Sequence, residues 1–142
     1  MNSKDKTTIS VQAIVKAPIE TVWKKWTTPE DIMKWNNASD DWHTPWADID
    51  LREGGKFICR MESKDGSHGF DFGGVYDEVK RYERIVYSID DGRKVNIAFS
   101  SVGNETEVIE TFEAENTHSI ELQRQGWQAI LDNFKKYTES FT

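Results

Sequence analysis

The chain has 142 residues, enough for one domain with a sizeable core, and 12% aromatic residues offset a modest hydrophobic fraction of 37%. A net charge of −7 argues against nucleic acid and against stable association with anionic membranes, both of which attract basic surfaces. The single cysteine, Cys59, excludes an intramolecular disulfide, and the polar start "MNSKDKTTIS" lacks the apolar run of a signal peptide, so the expected compartment is the cytoplasm.

Residues 8–16, "TISVQAIVK", place Ile9, Val11, Ala13 and Val15 on one face at period two, which predicts a half-buried strand. In "APIETVWKKW" the period changes. Pro18 suits a first helical position, and Ile19, Val22, Trp23 and Trp26 follow the spacing of one helical face. "TPEDIMKW" predicts a second short helix with Thr28 as N-cap and Pro29 at its first position, carrying Ile32 and Trp35 on one side.

Between Lys34 and Asp50, "KWNNASDDWHTPWADID" concentrates Trp35, Trp42 and Trp46. Trp35 belongs with the short helices. Trp42, His43 and Trp46 follow the polar run "NNASDD", and large rings in such a loop point to a lid over a cavity or to a satellite cluster sealing the end of a sheet.

Period two then returns for six strands. Ala47, Ile49 and Leu51 alternate with acids. Phe57, Cys59 and Met61 share a face, as do Phe70, Phe72, Gly74 and Tyr76, then Val95, Ile97 and Phe99, then Val108, Glu110 and Phe112. "EGG", "KDGS", "DDGR" and "GNE" supply the turns of an antiparallel meander. From about His118 to Ser140 a long helix is predicted, with Ile120, Gln123, Trp127, Ile130, Leu131, Phe134 and Tyr137 on one side. Gly126 inside it costs about 1 kcal/mol relative to alanine, which suggests close packing there.

The order β-α-α-β(six)-α is an α+β arrangement: a curved antiparallel sheet of six to seven strands wrapped round a long C-terminal helix, with two short helices after strand 1. A twisted sheet cannot lie flat on a rod, so the wedge is filled by side chains or left as a pocket. The residue pattern nominates Met61, Phe72, Tyr76, Phe99 and Trp127 as pocket walls and Trp42 and His43 as its lid. Glu110, on the same face as Val108 and Phe112, and Gln123, one turn before Trp127, form a candidate polar pair. A slipped register or bulge would instead turn Glu110 to water.

Other chemistry has little support. His43, His68 and His118 lack metal-ligand spacing, and neither a nucleophile elbow nor a phosphate-cradling glycine loop occurs, so no metal or cofactor is expected. Cys59 alternates with Phe57 and Met61 and reads as a buried hydrophobe.

The segments "APIETVWKKWTTPEDIMKW", "SDDWHTPWADIDLREGGKF", "RMESKDGSHGFDFGGVYDEV" and "QRQGWQAILDNFKKY" resemble the activator-of-Hsp90-ATPase-homologue branch of the START-like superfamily. These are helix-grip domains, often described as polyketide-cyclase-like. The resemblance runs over about residues 8–140 and implies a single START-like domain over 1–142. Trp46 departs from it, standing where a smaller or polar residue is expected. The implied ligand is a hydrophobic or aromatic small molecule, lipid-like or polyketide-like. Two alternatives stand beside it: a cyclase- or hydrolase-type enzyme using Glu110 or His43 as proton donor or acceptor, and an Hsp90 co-chaperone-like module with a protein partner. The eukaryotic Hsp90 activators carry an additional N-terminal domain for which this chain leaves no room.

Overall fold

The computed structural model describes residues 7–141; the first six residues, part of the segment read as no signal peptide, lie outside that range. Strand β1 (Thr8–Val15) buries Ile9, Val11 and Val15 as alternation requires. The chain then turns into helix α1 (Ile19–Thr27), which buries Val22, Trp23 and Trp26. Pro18 occupies the N-cap position, one residue before the expected one. Helix α2 (Pro29–Trp35) follows with Thr28 at its N-cap, but the Thr28 hydroxyl donates backwards to the Lys24 carbonyl at 2.7 Å and caps nothing ahead of it.

Six more strands complete the sheet: β2 (Trp42–Ile49), β3 (Lys56–Ser63), β4 (Gly69–Lys80), β5 (Arg84–Ile89), β6 (Lys94–Val102) and β7 (Glu105–Glu113). Together with β1 they form one seven-stranded antiparallel sheet in the order β1-β7-β6-β5-β4-β3-β2. The meander runs from one edge back to β1, and a sheet that twists over this many strands curls into a half-barrel. At Gly74 any Cβ would collide with the Ser88 carbonyl, so glycine permits the tight approach of β4 to β5 where their register shifts between Tyr76 and Glu78.

The segment expected to be an aromatic loop is a strand. Trp42 pairs with Ser63, His43 with Glu62, and Trp46 with Arg60, with an irregularity between His43 and Trp46 that spans Pro45. Aromatic and β-branched residues favour a half-buried pleated surface, so only the polar run before Trp42 remains a turn.

Helix α3 (Ile120–Glu139) fills the concave face, with Ser119 as N-cap accepting from the Leu122 amide at 3.0 Å. Its second half is the anchor: Leu131, Phe134 and Thr138 are fully buried, and Phe134 meets Trp26 and Trp35 edge to face at 4.7 and 5.0 Å. Gln128 and Lys135 donate to the carbonyls of Gln12 and Ile14 on β1, closing that sheet edge from above. Gly126 has no close neighbour; a Cβ there would meet nothing within 4 Å, so the packing expected at this position does not occur.

Candidate functional site

Under the first half of α3 the wedge stays open as a cavity of about 800 Å³. The pleat decides its floor. Inward-pointing residues of β3 (Phe57, Cys59, Met61), β4 (Phe72, Tyr76) and β5 (Ile85, Tyr87) line it, with Glu110 from β7. Gln123, Gly126, Trp127 and Ile130 of α3 form the roof, and Trp26, Ile32, Trp35 and Asn36 close one end. The exposed lining residues Ala38, Phe70, His118 and Leu122 mark the side open to solvent.

The walls are mutually braced rings. Phe57 meets Tyr87 edge to face at 4.8 Å and lies 5.1 Å from Tyr76, while Trp127 stacks on Phe112. The Met61 sulfur accepts from the Asn36 amide at 3.6 Å and touches the Thr44 hydroxyl, which donates to the Asn36 carbonyl at 2.7 Å, so its thioether is fixed against the wall. Burial pushes the Cys59 thiol up to about 11 and raises the Tyr76 and Tyr87 phenols, keeping all three neutral at ordinary pH.

Glu110 points inward. It sits in the register between Val11 of β1 and Ile97 of β6, is 5% exposed, and makes no hydrogen bond or ion pair with any described residue. Desolvation alone pushes its carboxyl up to about 8, so near neutral pH the group is largely a carboxylic acid, able both to donate and to accept. The liners Gln123, Arg93 and Glu115 already have partners. The Gln123 amide accepts from the Glu115 N–H at 2.9 Å and donates to the carbonyls of Glu115 and His118 at 3.1 and 2.9 Å, tying the β7–α3 connection to the helix. The Arg93 Nε donates to Asp91 at 2.9 Å. The Glu115 carboxylate accepts from the amides of Thr117 and His118 and pairs with the His118 ring at 2.9 Å.

Of the residues nominated from sequence, Trp42, Met61, Phe72, Tyr76, Glu110, Gln123 and Trp127 come together round the cavity. Phe99 does not; it is 4% exposed and packs edge to face on Trp23 and Trp26, beyond the cavity's end. His43 is also outside the lining; it alternates with Trp42 to the outer face of β2, where Nε2 lies 3.9 Å from Glu62. Trp46 likewise lies outside, 45% exposed, so the departure from the family pattern leaves the cavity's lining unchanged. Sequence reasoning missed Tyr87 and Ile85, although the alternation Ile85, Tyr87, Ile89 in "RIVYSI" carried the signal. It also missed Trp35 and Arg93, whose approach to the cavity depends on how far the sheet curls.

The sequence profile of the family described as Activator of Hsp90 ATPase homolog 1-like protein matches residues 16–139. Among solved structures, the chain is similar to the AHSA1-like protein from Aeromonas hydrophila, at 46% identity and TM-score 0.90, covering 95% of this chain and 94% of that one. It is also similar to Chr148 from Cytophaga hutchinsonii, at 53% identity and TM-score 0.82, covering 94% and 93%. CalU16 from Micromonospora echinospora shares the fold at 19% identity and TM-score 0.69, covering 94% of this chain and 76% of that one. No curated protein matches. The profile match over most of its length, with two full-length relatives of the same architecture, establishes that the chain belongs to the Activator of Hsp90 ATPase homolog 1-like family, on the START-type helix-grip fold.

Proposed function

We propose that the protein binds a hydrophobic or aromatic small molecule, lipid-like or polyketide-like, in the cavity between the sheet and α3. It does so as one START-like domain in the cytoplasm. The observation that carries this reading is the cavity itself: its volume of about 800 Å³ falls within the several-hundred to about 1,000 Å³ typical of small-molecule sites, and its walls are rings with a single uncommitted acid among them. A core of this composition packed for stability alone would close such a space, because each void forfeits dispersion contacts. Trp42, Phe72, Tyr76 and Trp127 supply apolar contact, Met61 shapes the end wall, and Glu110 fixes the ligand's orientation. Amide spectra recorded during titration with fatty acids, flavonoid-like aromatics and sterols test it. Saturable shifts confined to the lining residues support binding, and an interior that responds to none of the three classes refutes it.

A second reading draws on the same acid. A carboxyl whose proton leaves near neutral pH is poised for general acid–base work, as in a cyclase- or hydrolase-type enzyme. Glu110→Gln separates the two: loss of turnover with binding retained favours the enzyme, whereas loss of binding favours an orienting contact. His43 has no part in either reading, since it faces away from the cavity.

A further inference from the structure

Given a ligand in this cavity, we propose that it carries a basic nitrogen, a protonated amine or amidine on an aromatic or alicyclic skeleton, which seats against the Glu110 carboxylate. The inference rests on the binding reading above and adds the charge of the molecule bound. Three observations lead to it.

First, Glu110 is a buried acid lining the cavity with neither a hydrogen-bond donor nor a cation beside it among the described residues. Desolvating an acid costs several kcal/mol when nothing compensates it, and a ligand cation is the partner that compensates it most fully.

Second, the cationic liners already have acceptors. The Arg93 guanidinium donates to Asp91 and the Glu113 carbonyl, and the His118 ring lies on Glu115. A carboxylate ligand would have to share Arg93 with Asp91 and would meet in Glu110 another acid, whereas a ligand cation meets an acid that has no partner among the described residues.

Third, the walls include the rings of Phe72, Tyr87 and Trp127. The face of such a ring attracts a cation and repels an anion. The net charge of −7 draws cations towards the chain as a whole.

The proton balance follows. The amine enters as an ammonium ion, and Glu110, protonated in the free protein, gives its proton to solvent as the ion pair forms. Binding near neutral pH therefore releases up to one proton. The other titratable groups round the cavity are few. The β3, β4 and β5 walls contribute Cys59, Tyr76 and Tyr87, all kept neutral by burial. Arg93, Glu115 and His118 sit in their own pairs at the turns, and the register neighbours on β1 and β6, Val11 and Ile97, carry no titratable group. The roof residues of α3, Leu122, Gln123, Gly126, Trp127 and Ile130, carry none either.

The test uses three probes on one ring: 1-naphthylmethylamine, 1-naphthylmethanol and 1-naphthoate. Calorimetry in buffers of different ionisation enthalpy, beside amide spectra of Cys59, Tyr87 and Trp127, should show the amine binding about tenfold or more tighter than the alcohol, with close to one proton released at about pH 7. Glu110→Gln should erase that preference, bringing the amine down to the affinity of the alcohol and abolishing the proton release. The proton count is read on the unaltered chain, so the test does not depend on the variant. Alcohol or naphthoate binding as tightly as the amine, or an amine that releases no proton, overturns the basic-nitrogen proposal and leaves the cavity reading standing. Failure of all three probes to move the lining resonances overturns the basic-nitrogen proposal, and the cavity reading falls with it when fatty acids, flavonoid-like aromatics and sterols leave those resonances unmoved as well.

Discussion

Trp127 lies flat on Phe112, with ring centroids 3.9 Å apart and planes 13° from parallel, and this stack is where the roof of the cavity meets its floor. One face of the indole is spent on the sheet, and the ring makes a T-shaped contact with Phe72, centroids 6.4 Å apart. The stack fixes the height of α3 above β7. Truncation by Trp127→Ala should cost about 2–3 kcal/mol in chemical denaturation, less than for a fully buried ring because Trp127 is only partly buried. Binding of aromatic probes should weaken by more than this loss of wall area explains, since the helix loses its rest.

Glu110 makes stability depend on pH in a direction opposite to that of a paired carboxylate. Its carboxyl ordinarily titrates at 4.5 and in the fold is pushed up to about 8, so between those values the native state holds a proton that the unfolded chain releases. Stability from this group is complete below about pH 4.5 and declines as pH rises through about 8, by roughly 1.4 kcal/mol per unit at most. Glu110→Gln should flatten the decline, becoming more stable than the parent at about pH 8.5. Urea midpoints at about pH 5, 7 and 8.5 measure it, and parallel pH profiles for the two proteins would contradict it.

Gly126 lies in the roof with space on its cavity side. Alanine there should raise stability by about 0.5–1 kcal/mol, since it removes the helix penalty of glycine without a clash. Leucine should keep the helix and project into the cavity. Binding should then fall sharply while the melting temperature stays within a few degrees of the parent. A Gly126→Leu protein that binds aromatic probes normally would place the ligand elsewhere.

Gln123 acts on the chain before it acts on any ligand. Its amide satisfies one N–H and two carbonyls of the β7–α3 connection. Gln123→Ala should cost about 1–3 kcal/mol and raise hydrogen exchange at Glu115 through His118, because buried backbone groups are left without partners. Glutamate at this position should rescue only the acceptor half.

Much of this was legible in the sequence for a physical reason. A period of two assigns each inward residue of a strand without knowledge of its neighbours, so Met61, Phe72, Tyr76 and Glu110 were placed on the concave face correctly. Helix α3 was equally plain from its apolar stripe. The reading failed where position depends on tertiary geometry. Phe99 points inward as alternation says, but that stretch of the concave face is covered by α1, whose Trp23 and Trp26 consume its ring. The Trp42–Trp46 stretch was read as a loop because of the polar run that precedes it, although the backbone pairs with β3 on either side of Pro45. The hydrogen bonds that absorb Gln123 lie within eight residues of it, and periodicity is silent about them.

The two anchoring bonds from α3 to β1, Gln128 to Gln12 and Lys135 to Ile14, have a further consequence for how the molecule behaves in a crowded solution. A half-barrel has two unpaired borders, each a template for another chain to add a strand. One border is blunted by Pro45, which offers no amide to a newcomer, and the other lies under the helix between Gln128 and Lys135. The helix therefore has two duties: one side of its first turns roofs the cavity, and from Gln128 onwards it also shields the border. Entry of a guest by lifting the whole helix would uncover an adhesive strand each time. On the binding reading proposed above, this division favours entry of a ligand at the Ser119 end, away from the buried Leu131 and Phe134, so that admission of a guest and protection from self-association do not compete.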